Sequence, residues 1–357
     1  MEKEILTRMG TGQRVKISAT QVKEDLLAGT KDAADRGSIP ELPPAELEQL
    51  FDIIADKNRV VGVEPGQEVV LSDDVTNFRM SDDEGAGGGV GLPMSRTLAM
   101  LLHERAFAQD SAFLQSVAGV NVPETKVELN TEMQAIETTQ LLLTAPLLYV
   151  NAPALLWYFR PLGPYGNPTD LLPQGKIRES CDAQEEAAAT LTDDLVYVGR
   201  NLASVGIDGY NLDTTAASGD AEFQGVLKAV QKLKGIAPEM TVEMGMAGEF
   251  VLGMHGQVTF DGQRLAGMFP HQQVKVAAAA GVDIFGPVVS TNCSKSFPWN
   301  LARAVTFIKQ TSAVSDIPVH VNGGMGVGAV PMHPTPPIDC VTRMSKAMVQ
   351  VGRVDGL

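Results

Sequence analysis

Four short runs in this chain set polar residues among apolar ones at a spacing that suits strand chemistry. Glu128 and Asn130 flank Leu129, Asn211 and Asp213 flank Leu212, His320 and Asn322 flank Val321, and Glu243 lies between Val242 and Met244. Successive side chains of an extended chain point to opposite faces, so each pair shares one face and leaves the apolar residue on the other. Strands covered on both faces read as nearly continuous apolar runs, and these four do not. Carboxylates, carboxamides and a histidine converging from several strands can hold a cation and move a proton. Asp213, Glu243 and Glu249 are the candidate catalytic residues. Glu128, Asn211, His320 and Asn322 are the candidate substrate-binding residues. Glu249 comes from Gly245-Met-Ala-Gly-Glu, just past the run that carries Glu243. For each residue the plainer alternative is a buried polar group bonded to nearby backbone. For Glu249 it is an acid at a helix start.

Other chemistries find less support. HExxH and H-x-H are absent, so no metal site is expected. Gly324-Met-Gly-Val-Gly-Ala has the spacing of a dinucleotide fingerprint, but Val-Pro-Met-His-Pro follows where a helix should open. It reads instead as a loop where backbone must approach a ligand or partner closely. Neither a P-loop nor a G-x-S-x-G elbow occurs, and Cys293 reads as an ordinary loop cysteine.

The elements that would position these residues alternate. Strands are predicted near Val127–Asn130, Leu147–Asn151, Gly209–Asp213, Thr241–Gly245, Asp283–Gly286 and Pro318–Asn322, with another starting at Val354. Helices are predicted over Gln184–Ser204, Phe223–Lys234 and Trp299–Thr311 between them. This is the βαβ pattern of a parallel sheet. An internal echo agrees with it: Gly206-Ile-Asp-Gly, Gly281-Val-Asp-Ile and Arg353-Val-Asp-Gly each follow a helical stretch, with the glycine of the first two suited to a left-handed C-cap. Seven strand starts with short connections fit a (β/α)8 TIM-type barrel over residues 126–357, lacking its last strand–helix units, with the polar strand ends at its mouth. Residues 1–125 are expected to form a helical and extended region. In it, 1–60 read as helical and solvated, with Leu47, Leu50, Phe51 and Ile54 on one stripe. Residues 61–93 read as loop-like, and a helix is expected from about Ser95 to Gln115.

Composition narrows the partners. The chain has 357 residues and a net charge of −15 at pH 7, which disfavours nucleic acid and anionic lipid as partners. Cys181, Cys293 and Cys340 are far apart and odd in number, which excludes a disulfide framework and a CxxC zinc site and fits a reducing cytoplasm. The apolar window from Leu141 to Phe159 holds Asn151, Pro146 and Pro153, so it reads as a buried strand with its loop and not as a membrane helix.

Several longer strings are specific. Leu212-Asp-Thr-Thr-Ala-Ala-Ser-Gly-Asp, Glu243-Met-Gly-Met-Ala-Gly-Glu, Val251-Leu-Gly-Met-His-Gly, Phe269-Pro-His-Gln-Gln, Pro298-Trp-Asn-Leu-Ala-Arg-Ala-Val-Thr-Phe and Thr335-Pro-Pro-Ile-Asp, with Arg8-Met-Gly and Ala28-Gly-Thr-Lys-Asp-Ala-Ala-Asp, resemble the dimethylamine:corrinoid methyltransferases over essentially the whole chain. The resemblance implies transfer of a methyl group from dimethylamine to the Co(I) corrinoid of a cognate partner protein, giving monomethylamine. The corrinoid is carried by the partner and not by this chain. Family members are longer and carry pyrrolysine after Val-Asp-Gly-Ile or Val-Asp-Gly-Leu. Here Val354-Asp-Gly-Leu357 ends the chain, so pyrrolysine is expected immediately after Leu357 and the 357-residue form is expected to be an inactive, amber-truncated one. A homo-oligomer in the cytoplasm is expected. Two other readings stay open. One is a barrel enzyme using ordinary side chains, such as a lyase or a pyrrolysine-independent corrinoid methyltransferase. The other is a non-catalytic fragment or a subunit that only binds the corrinoid protein.

Overall fold

The computed structural model describes residues 4–69, 75–80, 90–95, 147–149, 155–204, 206, 209–253, 256–333 and 336–357. The chain divides into two compact units, residues 1–70 with 147–357 and residues 71–146. The division expected near residue 125 falls inside the second unit. The strand expected at Val127–Asn130, with Glu128, and the helix expected beyond residue 95 lie outside the described residues.

The first unit opens on an antiparallel hairpin, β1 (Glu4–Arg8) and β2 (Arg14–Ser18), with Ile5 opposite Ile17. This departs from the helical reading of residues 1–60. The charged side chains that alternate with Val15 and Ile17 made the stretch look merely solvated, although that alternation is a strand pattern. Ser18 then accepts the Gln21 N–H and starts helix α1 (Ala19–Gly37). Helix α2 (Pro44–Ala55) begins with proline in its first turn and buries Leu50, Ile53 and Ile54, close to the predicted stripe. In the second unit, β3 (Val75–Met80) and β4 (Val90–Ser95) form an antiparallel ladder from Val75–Ser95 to Met80–Val90.

The parallel sheet lies in the first unit. Strands β5 (Leu147–Tyr149), β6 (Gly209–Thr215), β7 (Thr241–Met246) and β10 (Ile284–Gly286) lie side by side in chain order. The same order continues through parallel bridges from Phe285 to Val319 and from His320 to Gly356. Pro318–Asn322 therefore takes part in the sheet as predicted, but through single bridges and not a full strand. A small hairpin, β8 (Thr259–Phe260) and β9 (Gln263–Arg264), sits in the Gly-rich connection after β7. Helices α3 (Ile177–Ser204), α4 (Asp220–Ile236), α5 (Pro270–Ala280), α6 (Phe297–Val314) and α7 (Ile338–Ala347) make the returns. The architecture is α/β with a singly wound parallel sheet. Among the described residues that sheet is open, with β5 at one edge and Gly356 at the other.

The internal echo has a physical job. Gly206, Gly281 and Arg353 all take left-handed backbone, with φ of 81°, 102° and 57°. Two residues on, Asp283 donates its N–H to the Val242 carbonyl and accepts the Val242 N–H on Oδ2, at 2.8 and 2.7 Å. Asp355 does the same with Val319, at 3.0 and 2.9 Å. Each aspartate thus closes the start of its strand onto the preceding one, which sets the register of the residues further along.

Packing explains why α6 is buried along almost its whole length. It is apolar on most faces because α1 lies against it from outside while the unit's core lies on the other side. The two helix backbones approach so closely at Gly29 that a Cβ there would strike the Trp299 carbonyl oxygen. No described helix is long and apolar enough to cross a membrane.

Candidate active site

The sheet register decides which side chains meet. Asn211 on β6 is paired with Glu243 on β7, and paired residues of neighbouring strands project to the same face. The alternating residues Tyr210, Leu212, Val242 and Met244 are wholly buried in the core cluster packed by the helices. Asn211 and Glu243 are left on the opposite, inner face. His320 reaches the same place, with Nδ1 2.7 Å from Oε1 of Glu243. Asn211 and Glu243 are each about 5% exposed, so this face is shielded from bulk water.

The electrostatics of the cluster are uneven. Burial pushes the His320 imidazole toward its neutral form, but the hydrogen bond to Glu243, a hydrogen bond to the Leu357 backbone and the Glu243 charge together outweigh it, so its pKa lies above the ordinary histidine value. The Asn211 Oδ1 is fully buried and, among the described residues, has no hydrogen-bond partner. An unpaired carbonyl in such a place is costly unless something else supplies a donor.

Asp213 sits at the rim of the same face. β6 carries an irregularity between Leu212 and Thr215, where Thr214 takes φ of 54°. A bulge of this kind re-aims the side chains beside it. It brings the Asp213 carboxylate over Gly245, where an added Cβ would lie 2.5 Å from Oδ1. Gly245 and Glu243 are two apart on β7 and share a face, so Asp213 covers the strand just beyond Glu243. Asp213 is exposed and Oδ1 also accepts the Thr214 N–H at 2.7 Å. Asn322 is exposed two residues beyond His320.

Glu249 goes elsewhere. Its oxygens accept from both terminal nitrogens of Arg303, at 2.9 Å for Nη1–Oε2 and 2.5 Å for Nη2–Oε1, and Oε2 also accepts the Ser290 N–H at 3.2 Å. Arg303 Nε donates to Asp32 at 2.7 Å, and its guanidinium lies 5.8 Å from the Trp299 ring centre and 5.4 Å from that of Phe307. This triad borders a cavity of about 380 Å³ at the ends of β6, β7 and β10, walled by Ala216, Ala217, Ala247 and Gly248. The predicted set of acids therefore splits. Asn211, Glu243 and His320 come together, Asp213 lies at their rim, and Glu249 is matched to a buried cation. Glu128 lies outside the described residues. Sequence reasoning passed over Arg303, although one arginine in the apolar run Leu301-Ala-Arg-Ala-Val is the mark of a buried charge with a partner. Among the described residues no group of three or more His, Cys, Asp and Glu could hold a metal ion.

No solved structure matches the chain. The family model described as dimethylamine methyltransferase (Dimeth_PyL) matches residues 3–357, nearly the whole length. On this match the chain belongs to the dimethylamine methyltransferases.

Proposed function

We propose that the inner-face cluster of Asn211, Glu243 and His320 receives dimethylamine and manages its proton while a methyl group passes to the Co(I) corrinoid of a partner protein. The carrying observation is the 2.7 Å contact between His320 and Glu243 beside the unpaired Asn211 carbonyl. Dimethylamine is a cation at neutral pH and cannot act as a nucleophile until it loses a proton. A histidine held above its ordinary pKa by a buried carboxylate can take up and release a proton beside the substrate nitrogen. The Asn211 Oδ1 offers an acceptor to the substrate N–H, and Asp213 at the rim supplies negative charge along the approach.

The polar strand ends form, in this reading, the mouth of a (β/α)8 barrel; the chain-order parallel sheet supports this. The pyrrolysine that the family resemblance implies would supply an electrophilic imine that makes the amine a better methyl donor. The Leu357 backbone is hydrogen-bonded to His320, which brings this end of the described residues to the cluster and supports the reading.

The test is Glu243→Gln in enzyme expressed from its own gene in a host that reads an in-frame amber codon as pyrrolysine. Methyl transfer is followed by the loss of Co(I) absorbance in the corrinoid protein. We expect kcat/KM to fall by about 10²–10⁴-fold, the usual range for removing a positioned acid–base group. An unchanged rate would overturn the assignment. Turnover of dimethylamine by the 357-residue chain alone would favour a barrel enzyme built from ordinary side chains.

A further inference from the structure

The chain is strongly acidic, yet one cavity reverses its sign. Five cations, Arg8, Arg14, Lys57, Arg59 and Arg343, line a space of about 540 Å³ between the β1–β2 hairpin, the end of α2 and the start of α7. Three carboxylates share it, Glu4, Asp56 and Asp339, and each is engaged. Asp339 takes both bonds from Arg8 Nε, at 3.0 and 2.8 Å. Burial alone would raise its carboxyl, but the Arg8 bond and charge, with the Arg343 charge behind them, hold it below the ordinary range. Glu4 lies 3.8 Å from Lys16, and Asp56 accepts the Asn58 N–H at 2.8 Å.

The cations differ in how they are held. Arg343 is buried and spends its hydrogen bonds on four carbonyl oxygens, those of Asp56, Asn58, Arg59 and Asp339. It closes the end of α2 while keeping its charge, since no carboxylate bonds to it. Arg8 is fixed by Asp339 and by the Gly12 carbonyl at 2.9 Å. Arg14, Lys57 and Arg59 are exposed and make no ion pair among the described residues. Two fixed cations at the back and three exposed ones at the edge form a charge trap, and the buried Ile5 and Phe297 give it an apolar floor.

We infer that this cavity binds a small polyphosphate. The volume suits an organic ligand and exceeds what one simple ion needs. Arg14 and Arg59 keep their planar forks for phosphoryl oxygens, while Arg8 and Arg343, whose bonds go mostly to Asp339 and to backbone carbonyls, add charge behind them. An excess of positive charge in a chain of net −15 concentrates an anion there and nowhere comparable on the average surface.

The experiment is calorimetric titration of the folded protein with inorganic triphosphate and, separately, with ATP, in wild type and in the triple variant Arg14→Ala, Lys57→Ala, Arg59→Ala. These side chains are exposed, so the variant keeps its fold. Lys228→Ala with Lys232→Ala, two exposed side chains of α4 outside the cavity lining, is the charge control. We expect binding in wild type and control, and affinity at least tenfold weaker in the triple variant. Binding of both ligands assigns the site to the phosphates. Binding of ATP alone, lost in the triple variant, assigns part of the affinity to the apolar floor. Equal affinity in wild type and triple variant, or no binding of either ligand at millimolar concentration, would overturn the inference.

Discussion

Glu243 and Glu249 are six residues apart, both buried, and both meet a nitrogen base. Glu249 faces a guanidinium that is charged at every accessible pH, and further bonds to Ser290 and from Arg303 to Asp32 leave little unsatisfied. Glu243 faces an imidazole, a group able to gain and lose a proton, whose pKa it holds above the ordinary value, next to a carboxamide whose oxygen has no partner among the described residues. The first arrangement is complete within the fold. The second leaves bonding capacity over among the described residues and contains a group that can change its charge. Burial and a charged partner alone do not separate a structural carboxylate from a working one; the partner's ability to titrate and the leftover bonding capacity do.

That contrast is broken most strongly at Arg303. Replacing it with methionine leaves the buried Glu249 without its cation, while Asp32 keeps Arg36 at 3.0 Å, and removing one member of a buried pair costs about 3–5 kcal/mol. Urea denaturation of Arg303→Met should show that loss, whereas Glu243→Gln should unfold within about 1–2 kcal/mol of wild type while losing its activity. If Glu243→Gln proved the less stable of the two, the roles given to the two acids would be reversed.

One side of this contrast is legible in the amino-acid sequence and the other is not. The period-two spacing of Asn211, Asp213 and Glu243 located the inner face because strand alternation is a local property. The Gly-x-Asp echo marked the helix-to-strand joints for the same reason, since a left-handed cap and the following strand start need only a few residues. The fate of Glu249 was not legible. Its partner Arg303 lies 54 residues away on α6, and only the packing of that helix under α1 brings them together. The hairpin at Glu4–Ser18 was missed because its charged outer face resembles a solvated helix in composition. The bulge that splits Asp213 from Asn211 depends on Thr214 taking a left-handed conformation, which threonine rarely does and sequence does not announce.

A smaller effect sharpens the comparison at Asn211. Leucine has the same number of side-chain heavy atoms with the same branching and carries no polar atom, so Asn211→Leu removes a buried carbonyl that nothing among the described residues satisfies. Its stability should stay within about 1 kcal/mol of wild type or rise. The KM for dimethylamine should increase roughly tenfold, the scale of one lost hydrogen bond to a charged group, with kcat changed much less. A loss of stability with KM unchanged would make Asn211 a core residue and remove it from the site.

The smallest effect is a slope with pH. His320 has its folded pKa above the ordinary 6.5, so it binds its proton more tightly in the folded chain than in the unfolded one. The resulting stabilisation is fully present below about 6.5 and is lost as pH rises through the folded value. Arg303 contributes no such slope there, because burial, which would lower its guanidinium, is outweighed by the bonds and charges of Glu249 and Asp32, which hold it above its already high ordinary value. Stability measured between about pH 6 and 9 should therefore fall more steeply with pH in wild type than in His320→Gln. Identical slopes in wild type and His320→Gln would mean that the imidazole gains nothing from Glu243 on folding, and the proton-exchanging role of the pair would lose its physical basis.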